Sequence, residues 1–220
     1  MEFAISIALS TLETVTIFVL IFVLFRYRKF YRLWAVVGLG IALAAWSLFI
    51  RMVLFLPTLD LIVQLIAMYI FLKFVYRIRW FYAMIMLFFA YGLYLLLQGL
   101  ILLLIIYGTD YGINDYNDIT TNPILMLQLI SFLLGLGIAW IVKKKNWGFT
   151  FISYHRLRKE SWTGLNRCIL GSLIGIGMLI PVGVFAAVYG YNNVYSLIMF
   201  FIFFFWVYLL LLFFQKDYSE

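Results

Sequence analysis

The sequence predicts an all-α, polytopic membrane bundle of seven transmembrane helices, amino terminus outside and carboxyl terminus inside. Three observations predict it. The chain is 67% hydrophobic and 11% charged, against about 45–50% and about 25% in a soluble domain, so it lacks the polar surface to face water. Its apolar runs approach or exceed the about 20 residues that a spanning helix needs. Fifteen of its sixteen Lys and Arg residues fall in alternate gaps between those runs, as the cationic bias of cytoplasmic loops requires. The expectation is one transmembrane domain over 1–220, in the plasma membrane (the inner membrane of a bacterium).

Each helix follows from an apolar run and its flanks. The first covers about 3–25 and stops at RYRKFYR (26–32), with four cations. The second covers about 33–56 and ends at Pro57-Thr58-Leu59-Asp60, read as a short turn. The third, about 61–76, carries Lys73 near its end and is followed by RIR (77–79). The fourth, about 80–107, is long enough to need tilting or protrusion. A polar loop, GTDYGINDYNDITTNP (108–123), precedes the fifth helix at about 124–142. The longest basic stretch, 143–167, holds seven cations and one Glu. The sixth and seventh helices cover about 168–189 and 194–214, and QKDYSE reads as a tail. The first segment lacks a basic n-region and is interrupted by Glu13, so it is expected to be a retained helix rather than a signal peptide.

The charge pattern also removes several functions. A net charge of +7 is explained by topology and anionic headgroups on the cytoplasmic side, without nucleic acid. The lone Cys168 excludes an intramolecular disulfide. Cys168 and His155 could form a nucleophilic pair, but they are thirteen residues apart with no third partner. No enzyme, metal or cofactor site is therefore expected.

Charges inside a membrane are costly and mark function. Glu13, in the first span, and Arg51, late in the second, lie at similar depth and are expected to pair. Gln64, Gln98 and Gln128 place one amide in each of the next three spans, where they fix packing or line a ligand pocket. Glycines in 38–45, 135–137 and 171–177, including the Gly171/Gly175 pair, permit close helix approach. Asp110, Asp115 and Asp118 make the outer loop a candidate ligand surface. Lys143, Lys144, Lys145, Trp147, Arg156, Arg158 and Lys159 make 143–167 the candidate cytoplasmic output surface. Its mixture of cations with Trp147, Phe149, Phe151, Tyr154 and Trp162 suits a segment lying on an anionic membrane, or a docking face.

The layout resembles the membrane sensor half of accessory-gene-regulator-type peptide-sensing histidine kinases of Gram-positive bacteria. The resemblance rests on the acid in LSTLETVTIF, the RYRKFYRLW junction and the Arg before a Pro turn. It also rests on the short helix ending FVYRIRWFYA and on KKKNWGFTFI. It implies that six or seven helices meet a secreted extracellular peptide. In that family a kinase follows the last span, whereas this chain stops at Glu220, so output is expected to pass to a cytoplasmic kinase-like partner. The function expected is a non-enzymatic membrane sensor or regulatory module. The alternative is a substrate-binding or permease subunit of a small transporter.

Overall fold

Charge-free apolar runs fold as helices because lipid offers the backbone no partners, so each segment must satisfy its own N–H and C=O groups. The computed structural model describes residues 2–27, 33–50, 57–108, 122–154, 163–188 and 191–219. Among these, eight helices follow one another: α1 Glu2–Leu24, α2 Leu33–Phe49, α3 Pro57–Phe74, α4 Trp80–Gly108, α5 Asn122–Lys144, the single turn α6 Phe151–Tyr154, α7 Gly164–Val188 and α8 Asn192–Ser219.

Five of them, α1, α4, α5, α7 and α8, are long and apolar enough to cross a membrane. The two remaining long helices are shorter. α2 has 17 residues and α3 has 18, or ~26–27 Å at ~1.5 Å per residue, against a hydrocarbon core of about 30 Å.

Three expected boundaries move by four residues or more, one of them the start of α7, at Gly164 rather than about 168. Pro57–Asp60, read as a turn, is the first turn of α3. Proline suits the first helical position, since the N–H it lacks would have no intrahelical partner there. The expected tail is the end of α8, which continues helical through Gln215–Ser219.

α4 is the central helix, packing on α1, α3, α5, α7 and α8, while α1 also lies between α2 and α5. The outer surface is apolar, with Trp34, Leu104, Leu133, Met178, Phe200 and Leu211 all exposed. Apolar exposure on this scale is a liability in water. It suits a surface bathed in lipid.

All the described Lys and Arg residues gather at one end of the bundle. Two neighbouring helices finish there with the same cap. At the end of α1, Tyr27 N–H reaches Phe22 O (2.8 Å) and Arg26 N–H reaches Val23 O (3.2 Å), with Arg26 at φ 46°. At the end of α5, Trp147 N–H reaches Val142 O (2.9 Å) and Asn146 N–H reaches Lys143 O (3.2 Å), with Asn146 at φ 52°. Both are Schellman caps, which satisfy the last carbonyls through one left-handed residue. The caps touch, because Arg26 Nη2 donates to Asn146 O.

Beneath them lies an aromatic core. Phe25 meets Phe89, Phe149, Phe151 and Phe213 with ring centroids 5.8–6.2 Å apart. Phe89 stacks on Trp206 at 4.8 Å. Centroid separations of 4.5–7 Å are those at which aromatic pairs attract beyond their buried area.

Candidate functional site

In its first half α1 has the polar sequence SIALSTLETVT (6–16), and in its second half it is wholly apolar. The hydroxyls of the polar half are mostly held locally. Thr11, Thr14 and Thr16 each donate to the carbonyl four residues earlier, at 2.8, 3.2 and 2.8 Å. Glu13 cannot be satisfied that way, and α4 supplies partners for it. Tyr94 Oη donates to Glu13 Oε1 at 3.2 Å, and Gln98 Nε2 donates to the same oxygen. Tyr94 and Gln98 are four residues apart, so one face of α4 presents both donors.

The third wall of the site is α5. Gly135 lies against both other helices: a Cβ there would sit 2.6 Å from Thr16 Cγ2 and 3.5 Å from the Tyr94 ring. Absence of a side chain is what lets α5 approach α1. Gly40 of α2 plays the same part on the other flank, where a Cβ would lie 3.0 Å from Thr11 Cγ2. Gln128 and Ser131 share the Gly135 stripe of α5; both are buried, and Ser131 Oγ donates to Leu127 O at 2.7 Å.

Another carboxylate, this one buried, lies toward the end opposite the cations. Asp60 is fully buried, and accepts from Ser47 Oγ at 2.6 Å and from Gln64 Nε2 at 3.3 Å. Its place in the first turn of α3 is electrostatically favourable, because the helix dipole presents positive charge there. Of the three glutamines, Gln98 therefore serves Glu13 and Gln64 serves Asp60, whereas Gln128 is buried at helical spacing from Gly135.

At the basic end, α8 fastens the loop after α5. Lys216 is 2% exposed; its ammonium donates to Asn166 Oδ1 at 2.7 Å. Three rings surround it, Phe81, Tyr82 and Phe151, with centroids 5.1–5.4 Å from Nζ. Cation–π attraction of this kind reaches about 2 kcal/mol when desolvated. Asp217 Oδ1 accepts from Thr150 N–H (2.8 Å), Thr150 Oγ1 (2.8 Å) and Phe151 N–H (3.0 Å). On the other side of the loop, Phe149 N–H donates to Leu24 O of α1 at 2.8 Å.

The expectation that 143–167 lies along the membrane surface is corrected at two of its rings. Phe149 and Phe151 are buried in the aromatic core rather than facing lipid, because the loop is held down from both sides. Lys143, Lys144, Lys145 and Trp147 are exposed. Lys144 lies over Trp140 at 4.9 Å, and Lys145 lies over Trp147 at 4.5 Å.

Arg51, Asp110, Asp115, Asp118, Arg156, Arg158, Lys159 and His155 lie outside the described residues, so the Glu13–Arg51 and Cys168–His155 pairings do as well. Cys168 is exposed. Among the described residues, no three His, Cys, Asp or Glu side chains group as metal ligands. Of the small-residue pair, Gly175 packs on Phe205 while Gly171 faces open space.

Tyr94, Asp60, Asn166, Lys216 and Asp217 are absent from the sequence reading of the site. The spacing of Tyr94 and Gln98, and of Asp60 and Gln64, was a signal available for two of them. Nothing in the sequence marks Lys216 as buried.

The fold and the site define a class, a membrane-embedded helical protein with buried polar groups between its helices. The chain matches no protein-family model, no curated protein and no solved structure.

Proposed function

We propose that the chain is a seven-span protein of the bacterial inner membrane, amino terminus outside, working as a non-enzymatic sensor or regulatory module. An extracellular signal, such as a secreted peptide meeting the outer segment expected at 108–123, shifts the packing of α1 against α4. The segment after α5 passes that shift to a cytoplasmic, kinase-like partner.

One observation carries the reading. The proposed output segment is tied at Phe149 to the end of α1 and at Thr150 and Phe151 to Asp217 of α8. α1 is also the helix that holds Glu13. A rotation or slide of α1 therefore pulls directly on the loop that bears Lys143–Lys145 and Trp147. A ligand acts only through differential affinity for two states, and this tie supplies a place where two helix arrangements would present different surfaces.

Photo-crosslinking at Trp147 and Lys145 in native membranes tests the proposal. The expected result is capture of a cytoplasmic protein, with a yield that changes when conditioned medium from the same cells is added. No specific partner and no signal-dependent change would sink it.

A transporter subunit is the second reading. It is favoured by one observation: Glu13 and Asp60 are two membrane carboxylates held by polar neighbours at different positions in the bundle. Substrate uptake by the purified protein in liposomes supports that reading against the first.

A further inference from the structure

Two buried polar atoms, one on α1 and one on α5, lack a hydrogen-bond partner among the described residues. Ser6 is 1% exposed and Gln128 is 9% exposed, and neither Ser6 Oγ nor Gln128 Oε1 has a hydrogen-bond partner among the described residues. An unmet buried oxygen costs about 1–3 kcal/mol, and folded proteins meet such groups with protein or with ordered water. A bound water needs two to four polar partners in roomy polar surroundings, so the arrangement of the other polar atoms decides.

That arrangement is a staircase. Ser6 and Glu13 are seven residues apart, two turns, and so share a face of α1. Gln128, Ser131 and Gly135 recur at helical spacing on α5. Gly135 meets Thr16 of α1 and Tyr94 of α4, which sets the register of all three helices. Taking ~1.5 Å per residue from that level, Glu13 lies ~4.5 Å, Gln98 ~6 Å, Gln128 ~10 Å and Ser6 ~15 Å toward the end where α1 begins. The steps of ~2–5 Å suit hydrogen bonds of about 2.8 Å relayed through water. Ser131 adds oxygen lone pairs to the seam, its proton being donated to Leu127 O.

The polar run approaches a helix end on one side only. Ser6 is four residues from the start of α1, or ~6 Å from the helix end. Beyond Glu13 and Thr16 the same helix becomes Ile17–Leu24, with Phe18, Ile21 and Phe22 buried, and Phe25 just after it is buried as well.

We infer that the α1/α4/α5 seam is a water-binding crevice that runs from the end where α1 begins to the Glu13 carboxyl and stops at Phe18. It hydrates Glu13 from one side of the membrane and gives that group proton exchange with that side alone. The inference does not rest on the signalling reading, and either can fail without the other.

Thiol accessibility tests it. In a Cys168→Ser background, Ser6→Cys and Gln128→Cys are compared with Leu129→Cys on the exposed face of α5 and Leu20→Cys in the apolar half of α1. A membrane-impermeant cationic thiosulfonate is added to each side of oriented vesicles. Because the thiolate is the reacting form and needs water, the two seam positions are expected to react at least ~10-fold faster than both controls, and only from the side where α1 begins. Rates equal to the controls, or reaction from the basic end, would overturn the crevice. Reaction at Ser6→Cys alone would also overturn it, by ending the water short of Glu13. Should a variant fail to fold, hydroxyl-radical labelling of the unsubstituted protein decides. Tyr94 labelled several-fold faster than Phe18 supports the crevice, and equal labelling overturns it.

Discussion

Among the described residues, Glu13 accepts from Gln98 Nε2 and from Tyr94 Oη, the latter at 3.2 Å. Interhelical polar contacts in membranes average about 0.6 kcal/mol, and hydrogen bonds to charged groups are worth about 1.5–3 kcal/mol. Gln98→Leu and Tyr94→Phe are each therefore expected to destabilise by about 0.6–1.5 kcal/mol. Thermal unfolding in detergent measures both, and no loss in either variant would show that other groups hold Glu13. Lys216 makes a sharper case. Lys216→Ala opens a cavity among three rings and leaves Asn166 Oδ1 without this donor, at an expected ~2–4 kcal/mol. Lys216→Met refills the cage and is expected to lose about half as much. Equal losses would mean that the ammonium, rather than the packing of its stem, carries the whole effect. Sequence reading finds Glu13 because a lone acid in an apolar run is conspicuous. It misses Lys216, because a lysine two residues past an apolar run looks like a solvated tail.

The loop at 145–151 acts as a hinge pin between α1, α5 and α8, and its geometry depends on Gly148. That residue has φ 148°, and a Cβ would sit 2.9 Å from Leu24 O and 3.0 Å from Val23 O. Gly148→Ala is expected to cost about 1–3 kcal/mol through backbone strain and the clash. Faster amide exchange at Phe149 and Phe151, with exchange in α4 unchanged, is the signature to look for. Helix approach offers a test with a built-in rescue. Gly135→Ala forces a Cβ to 2.6 Å from Thr16 Cγ2, an overpacking that costs about 1–3 kcal/mol. Thr16→Ser removes that methyl, so the double variant should recover most of the loss. Strict additivity of the two would show that Gly135 meets something else. Helix boundaries were legible where composition changes abruptly, as at Trp80 after RIR. They were less so at Pro57, because a proline both ends a helix and begins one.

For the whole molecule, the gathering of cations at one end predicts sidedness. A periplasmic phosphatase reporter is expected to be active when inserted in 109–121 and inactive after Lys145 or at the carboxyl terminus. The reverse pattern would invert the proposed topology, and with it the side from which the seam is hydrated. Replacing Lys143, Lys144 and Lys145 with Gln is expected to yield mixed orientation, since these cations supply much of the bias.

Composition and charge spacing were enough to establish an all-helical membrane protein, with the order and approximate limits of its long helices. They could not establish which helices touch, and the physical reason lies in the solvent. In water a helix declares its buried side through an apolar stripe. In lipid both sides are apolar, so α4 and α8 carry almost no directional pattern. Partner choice falls instead to small residues that admit a neighbour and polar groups that require one. Gly135 against Thr16, Gln98 on Glu13 and Asn166 on Lys216 were each decided by the tertiary structure, because each joins residues from helices far apart in the chain.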